Sequence, residues 1–324
     1  MDGICTLCND RMFDQLVALL NSIEVIYGSQ MPVCIFPYDE QTEKIAAEIA
    51  KRPQVFIYDD QESIDRWDEF MRQARPDKMD STKKFRLYGS HRRFCAFDGP
   101  FDKFVYMDAD ILLLDTLDLI FAKLDEYDCV TYDFQFYHPE FVYNVQSPKL
   151  LEVFDENRLR NEIFCAGFYA SKRGLFDETE RRWLIEQLQA GEAEIFKTTG
   201  HDQPVANYMF MRTNKRICNL SHVLPEGTAT GCTVTSKHFE EKDHALYDNG
   251  NRVTYLHYVG ISPRIPEAIC AGENLKLPYR DLFLHYRFLH EPEKRPVFSE
   301  PPPEKPKAPP SLLKRAMNKL KLLR

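Results

Sequence analysis

Ile4-Cys5-Thr6-Leu7-Cys8, Val33-Cys34-Ile35-Phe36 and Val55-Phe56-Ile57-Tyr58 are three short apolar runs. Each suits a buried strand and is too short for a helix. Between the first two, Phe13, Leu16, Val17, Leu20 and Ile23 recur at helical spacing, which predicts a helix from about Met12 to Tyr27. Asn9-Asp10 stands where a cap for that helix belongs. Glu40 to Lys51 reads as a second helix. A β-α-β-α-β order implies an α/β fold with a mostly parallel, twisted, Rossmann-like sheet flanked by helices. Such sheets bind ligands beyond the carboxyl ends of their strands.

The 324 residues, 44% hydrophobic and 28% charged, are enough to bury one large core or two small ones. A disulfide mini-protein and a wholly disordered chain are excluded. A formal net charge of -8 argues against nucleic acid as a partner. No run approaches the roughly 18 apolar residues of a membrane span. The start, Met1-Asp2-Gly3-Ile4-Cys5, has no basic segment of a secretory signal. Nine cysteines, an odd number set mostly in apolar runs, fit a reducing, cytoplasmic setting. Cys5-Thr6-Leu7-Cys8 reads as strand packing; a metal or redox pair lacks a second C-x-x-C or paired histidines.

Residues 1–290 read as a single domain, less periodic and more aromatic after 130. Eight of the 20 prolines then fall between Pro292 and Pro310, predicting an extended, solvated linker over 291–310. From Lys305 onward there are seven basic residues and no acid, leaving 35 basic against 50 acidic residues before it. In the segment 311–324, Leu313, Ala316, Met317, Leu320 and Leu323 would form one stripe of a basic amphipathic helix. Such a helix suits an anionic membrane surface and a peripheral place on the inner face of a membrane. The alternative is a frayed end that touches the acidic body.

Phe101-Asp102-Lys103-Phe104-Val105-Tyr106-Met107-Asp108-Ala109-Asp110-Ile111-Leu112-Leu113-Leu114 carries the chemistry. Side chains two apart on an extended chain point to one side. Asp108 and Asp110 are therefore neighbours at the end of an apolar strand, an arrangement that is costly without a cation. Hard oxygen ligands suit Mn²⁺ or Mg²⁺ bridging to a diphosphate. This is the only D-x-D in the chain. Farther on, Val253-Thr254-Tyr255-Leu256-His257-Tyr258-Val259-Gly260 ends an apolar strand on an imidazole that could complete the metal's shell. A satisfied core histidine is the plainer reading of His257 taken alone. Gly260 lets the backbone approach a phosphate.

These blocks together resemble a GT-A glycosyltransferase of the family 8 type, the group of glycogenin and the bacterial lipopolysaccharide galactosyltransferases. The resemblance covers roughly residues 1–265. It rests on Thr6-Leu7-Cys8-Asn9-Asp10, the D-x-D strand, Phe164-Cys165-Ala166-Gly167, Asp202-Gln203-Pro204-Val205-Ala206-Asn207 and His257-Tyr258-Val259-Gly260, in that order. It implies that Asp108, Asp110 and His257 hold the ion, with Asp108 and Ala109 also at the nucleotide. It places Thr6, Leu7, Asn9 and Asp10 at the base pocket, and Arg93, with Arg86 as a second choice, at the phosphates or ribose. Asp202 and Gln203 would sit at the transferred sugar. Two bland alternatives stand beside these: a solvated helix face for Arg92 and Arg93, and a helix N-cap for Asp202.

Two departures from the family pattern matter. Cys165 stands where the family has Asn, and Arg264 stands one position later than the family's diphosphate lysine. The implied activity is transfer of a sugar from a nucleotide-sugar, a UDP-sugar, to a glycan or lipid-linked acceptor with retention. No residue is an evident nucleophile, so a front-face route and a covalent intermediate both stay open. Tyr132-Asp133-Phe134-Gln135-Phe136-Tyr137-His138, with Tyr143, has the make-up of an acceptor groove or of ordinary packing under a loop. The rival readings are a nucleotidyltransferase, which the missing early Gly-rich loop disfavours, and a silent glycan- or membrane-binding scaffold.

Overall fold

A computed structural model describes residues 1–79, 89–199 and 201–303. Arg86, the end of the proline-rich linker and the basic tail lie outside the described residues. The main sheet contains β1 (Asp2–Cys8), β2 (Val33–Pro37), β3 (Val55–Ile57) and β4 (Lys103–Met107). The short strand β5 (Ile111–Leu113) leaves it, and β6 (Cys129–Thr131), β7 (Phe168–Lys172) and β8 (Ile217–Asn219) complete it. Its order is β3-β2-β1-β4-β7-β6-β8. Every neighbouring pair is parallel except the two made by β7.

Strands buried on both faces account for the continuous apolar runs. Along β1, Cys5 and Leu7 face one core cluster with Phe36 and Trp67, while Ile4 and Cys8 face another with Leu16 and Leu20. Cys5 and Cys8 therefore point to opposite faces and cannot share a ligand. All nine cysteines are free.

Helix α1 (Phe13–Tyr27) begins one residue later than its pattern predicted. Asn9 caps the 3-10 turn Asp10–Met12 ahead of it, accepting from the Arg11 N–H at 3.2 Å. The helix is covered on a second side by β5 and by the helix Arg280–Arg287, which explains why Ala18, Leu19 and Ser22 are buried as well. The Ser22 hydroxyl accepts from the Leu113 N–H at 2.9 Å and ties β5 to it. Helix α2 (Glu43–Ile49) is shorter than the predicted Glu40–Lys51, and α3 (Gln61–Ala74) follows.

A small three-stranded sheet, β9 (Glu240–Lys242), β10 (Ala245–Asp248) and β11 (Asn251–Arg252), leads into β12 (Tyr255–His257). Strand β12 pairs antiparallel with β5, setting Tyr255 opposite Leu113 and His257 opposite Ile111. That register carries residue 257 back to the start of β5, directly after the D-x-D. The described part of the linker lies against the body. Arg280 sits over the Phe298 ring at 4.4 Å, and the Asn274 side chain donates to the Glu300 carbonyl at 3.0 Å. Among the described residues no helix is long and apolar enough to cross a membrane.

Candidate active site

Strand β4 ends at Met107, at the carboxyl edge of the parallel strands. The chain then turns through Asp108-Ala109-Asp110 into β5, and the Tyr258 N–H donates to the Asp110 carbonyl at 2.9 Å. Asp108, Asp110 and His257 each offer one ligand atom, and those atoms lie within 4.8 Å of one another. His257 Nε2 is 3.2 Å from Asp110 Oδ1, without hydrogen-bond alignment. Asp110 Oδ1 is thus a buried carboxylate oxygen with no hydrogen-bond partner.

Gly167 closes this cradle. A Cβ there would lie 2.6 Å from His257 Cε1 and 2.8 Å from Asp108 Oδ2. Its carbonyl accepts from the Asp108 N–H at 2.8 Å, so the backbone cannot retreat. An orphaned carboxylate oxygen, two hard acids, one imidazole and a gap that only glycine leaves all fit Mn²⁺ or Mg²⁺.

The electrostatics show how these side chains hold together. Burial pushes the Asp108 carboxyl up, and the Arg93 guanidinium pulls it back. Burial opposes charge on His257, but the facing Asp110 carboxylate prevails and holds the imidazole well above its ordinary range. Arg93 lies in the 3-10 helix Ser90–Phe97 and is 7% exposed. It reaches Asp108 at 3.1 Å and Asp202 at 2.8 Å, donates to the Ala166 carbonyl at 2.6 Å and lies over the Tyr106 ring. Tyr106 donates to Asp108 at 2.8 Å. Arg92 is buried too and pairs with Asp68 at 2.9 Å. The solvated-face reading of Arg92 and Arg93 is therefore corrected: both guanidinium groups are internal.

Asp202 occupies the N-cap position of the helix Gln203–Arg212 but makes no capping bond; its carboxylate goes to Arg93. Gln203 Oε1 accepts from the Ala166 N–H at 3.4 Å. Asn207 clamps the Phe164 backbone, with its Oδ1 and Nδ2 each 2.9 Å from a main-chain partner. The Phe164–Gly167 block is thereby fixed beside the Asp108–Asp110–His257 cluster.

A cleft of ≈ 480 Å³ opens where β1 and β2 end, lined by Cys8, Asn9, Arg11, Met12, Tyr38, Asp39, Glu40, Gln41 and Pro263. Of the residues expected at a base pocket, only Asn9 lines it, with its side chain donating to Asp39 at 2.9 Å. Thr6 and Leu7 are buried in β1, 0% and 6% exposed. Asp10 caps α2 instead, accepting from the Lys44 and Ile45 N–H groups at 3.0 and 3.2 Å. Tyr38 and Asp39 were missed; they follow β2 at the same sheet edge, which was the available signal. Ala109 is buried between the two acids. Gly260 (φ 75°) and Arg264, the first residue of the helix Arg264–Cys270, are exposed on the loop after β12.

Asp133 was also passed over. It is 3% exposed, and its carboxylate accepts from the Gln135 and Cys165 N–H groups at 2.7 and 3.1 Å. Burial pushes its pKa up to about 7.

Two outcomes follow from this geometry. Gly167→Ala should weaken Mn²⁺ binding at least tenfold by calorimetry while the far-ultraviolet circular dichroism stays native; unchanged affinity would empty the cradle of meaning. The folded state should keep the Asp133 proton between about pH 4 and 7, where the unfolded chain has lost it. The protein therefore loses stability as pH rises through that window, by up to about 4 kcal/mol from this group. In urea titrations Asp133→Asn should lack that slope, and an identical slope in both proteins would contradict the assignment.

No family model matches the sequence, and no curated protein sequence matches it. Solved structures do. The galactosyltransferase LgtC, in complex with donor and acceptor sugar analogues, is similar at TM-score 0.54 and 14% identity, over 80% of this chain and 87% of LgtC. An active-site mutant of LgtC gives 0.51 at 13% identity, over 87% of this chain and all (100%) of that one. The bifunctional glycosyltransferase WbbM in its apo form gives 0.55 at 14% identity, over 91% of this chain and 51% of WbbM. At this identity the likeness speaks to architecture alone: the chain shares the fold of these glycosyltransferases, the mostly parallel α/β sheet flanked by helices that the strand–helix order implied.

Proposed function

We propose that this protein is a glycosyltransferase that moves a sugar from a UDP-sugar to a glycan or lipid-linked acceptor, with Mn²⁺ or Mg²⁺ and with retention. The observation that carries the reading is the convergence of Asp108, Asp110 and His257 around the gap at Gly167. The cleft at the ends of β1 and β2, on the same sheet edge, supports a nucleotide beside them.

Asp108, Asp110 and His257 would hold the ion, which when bound offsets the charge that grows on a departing diphosphate. His257 must give up its proton to become a ligand, and Asp110 is the carboxylate that favours keeping it. Arg93 pins the Asp202 carboxylate next to the Ala166 carbonyl. A carboxylate so paired is a poor nucleophile, which supports the front-face route over a covalent intermediate. Gln203 faces the same backbone and would orient the sugar. Asn9 would meet the base, while Gly260 and Arg264 on the exposed loop would meet the diphosphate, Arg264 by its forked donors. The buried position of Arg93 supports a role in holding the acids more than direct contact with phosphate. We further read residues 1–290 as the catalytic domain, and the basic tail beyond the linker as a contact with an anionic membrane on the cytoplasmic face.

Release of UDP from a panel of UDP-sugars, with and without Mn²⁺, tests the activity. Wild type should require the ion and Asp110→Asn should fall at least 100-fold; equal turnover in all four conditions overturns the reading. For the tail, a chain ending at residue 304 should lose sedimentation with anionic liposomes, and undiminished sedimentation would refute the membrane contact.

A further inference from the structure

Tyr137, Phe141, Val145, Leu151 and Val223 are large apolar side chains left in contact with water, Tyr137 at 69% and Leu151 at 65% exposure. They are not scattered. All five belong to residues 136–161 or to the short helix Leu220–Val223, the two segments that wall a groove of ≈ 750 Å³. Leu150 and Leu159, both buried, form its bed. Phe136 joins the walls, with the Tyr137 ring 4.4 Å away on one side and the His222 ring 4.3 Å away on the other. A gathered apolar surface of this kind marks a docking place.

Its setting is acidic. Residues 137–162 carry five carboxylates and three cations. Glu152 takes Lys149, Glu156 takes Arg160 and Glu162 takes Arg158. Glu140 and Asp155 are the surplus, and Glu194 adds to it by accepting from the Ser147 hydroxyl in the groove wall. Such a rim repels an anionic lipid surface and a second copy of itself. It attracts an apolar face edged with cations.

Residues 311–324 of this chain have that make-up: five cations, no acid, and Leu313, Met317, Leu320 and Leu323 at the spacing with which a helix fills a groove. The place where the described residues end also suits them. Pro302 lies against Val234, Ser236 and Tyr279. The other end of that strip, Thr230, donates its N–H to the Tyr132 hydroxyl at 2.8 Å, and Tyr132 stands four residues before Phe136. Residues 304–310 reach roughly 22 Å when extended. Residues 311–324 add roughly 21 Å as a helix. That length carries the stripe from the strip to the groove within one chain.

We propose that the apolar stripe of residues 311–324 docks as a helix into this groove of its own chain. The inference stands apart from the sugar-transfer reading, and a membrane would compete for the same stripe.

Photo-cross-linking tests it on the full chain, with Leu320 replaced by p-benzoyl-L-phenylalanine and no lipid present. Mass spectrometry should map most cross-links to residues 136–161 and 220–223 of the same chain, in a monomeric band. Leu151→Glu, at an exposed position, should cut that yield at least fivefold while far-ultraviolet circular dichroism stays native. Lys319→Glu combined with Lys321→Glu should lower it as well, by losing the attraction of the rim. Cross-links spread over the rest of the body or found only between chains overturn the proposal. So do cross-links to added phosphatidylglycerol vesicles with none to the groove in their absence, and a yield that Leu151→Glu leaves unchanged.

Discussion

Three carboxylates crowded together at one sheet edge govern this molecule. Asp108, Asp110 and Asp202 converge on one guanidinium and one imidazole, inside a sheet edge built otherwise from apolar side chains. Burying that much negative charge is unfavourable unless cations are placed among the acids. Arg93 supplies a permanent one and His257 a conditional one. The surrounding structure serves this placement: the 3-10 helix that sends Arg93 inward, the Asn207 clamp on Phe164, and the β5–β12 ribbon that returns His257 from far along the chain. A divalent ion entering the cradle would take over the compensation that the imidazolium provides, so binding and proton release are linked.

The division of labour inside the cluster is physical. Arg93 faces Asp108 and Asp202, and His257 faces Asp110. One acid of the D-x-D pair is thus tied to a group that stays charged, and the other to a group that can discharge. The site has a fixed wall and an adjustable one.

Much of this was legible in the chain. The strand–helix alternation gave the parallel half of the sheet because strands buried on both faces are apolar on both, as residues 33–36 are and residues 4–8 are apart from Thr6. The acid pair was legible because carboxylates two apart inside an apolar run have no cheap explanation. Pairwise fates were not. Asp10 sits in a motif expected to touch a nucleotide, yet the N–H groups at the start of α2, more than 30 residues away, take its carboxylate. Arg93 resembled a surface cation because neither of its acidic partners is its neighbour in sequence. Asp133 was hidden in an aromatic run, and only its burial, a tertiary property, marks it. The small sheet β9–β11 escaped notice because its strands are two to four residues long and one of them, Glu240–Lys242, is charged and exposed.

The vacancy that Gly167 leaves has a bearing on descent. Any substitution of that residue adds at least a methyl group, 2.6 Å from His257 Cε1 and 2.8 Å from Asp108 Oδ2, and Arg93 and Tyr106 hold the Asp108 side chain in place. A duplicated copy of this chain could keep both acids and the imidazole and still fall silent through that one exchange. The smallest residue of the cluster, more than the acids themselves, is where such a copy would lose the shape of the cradle.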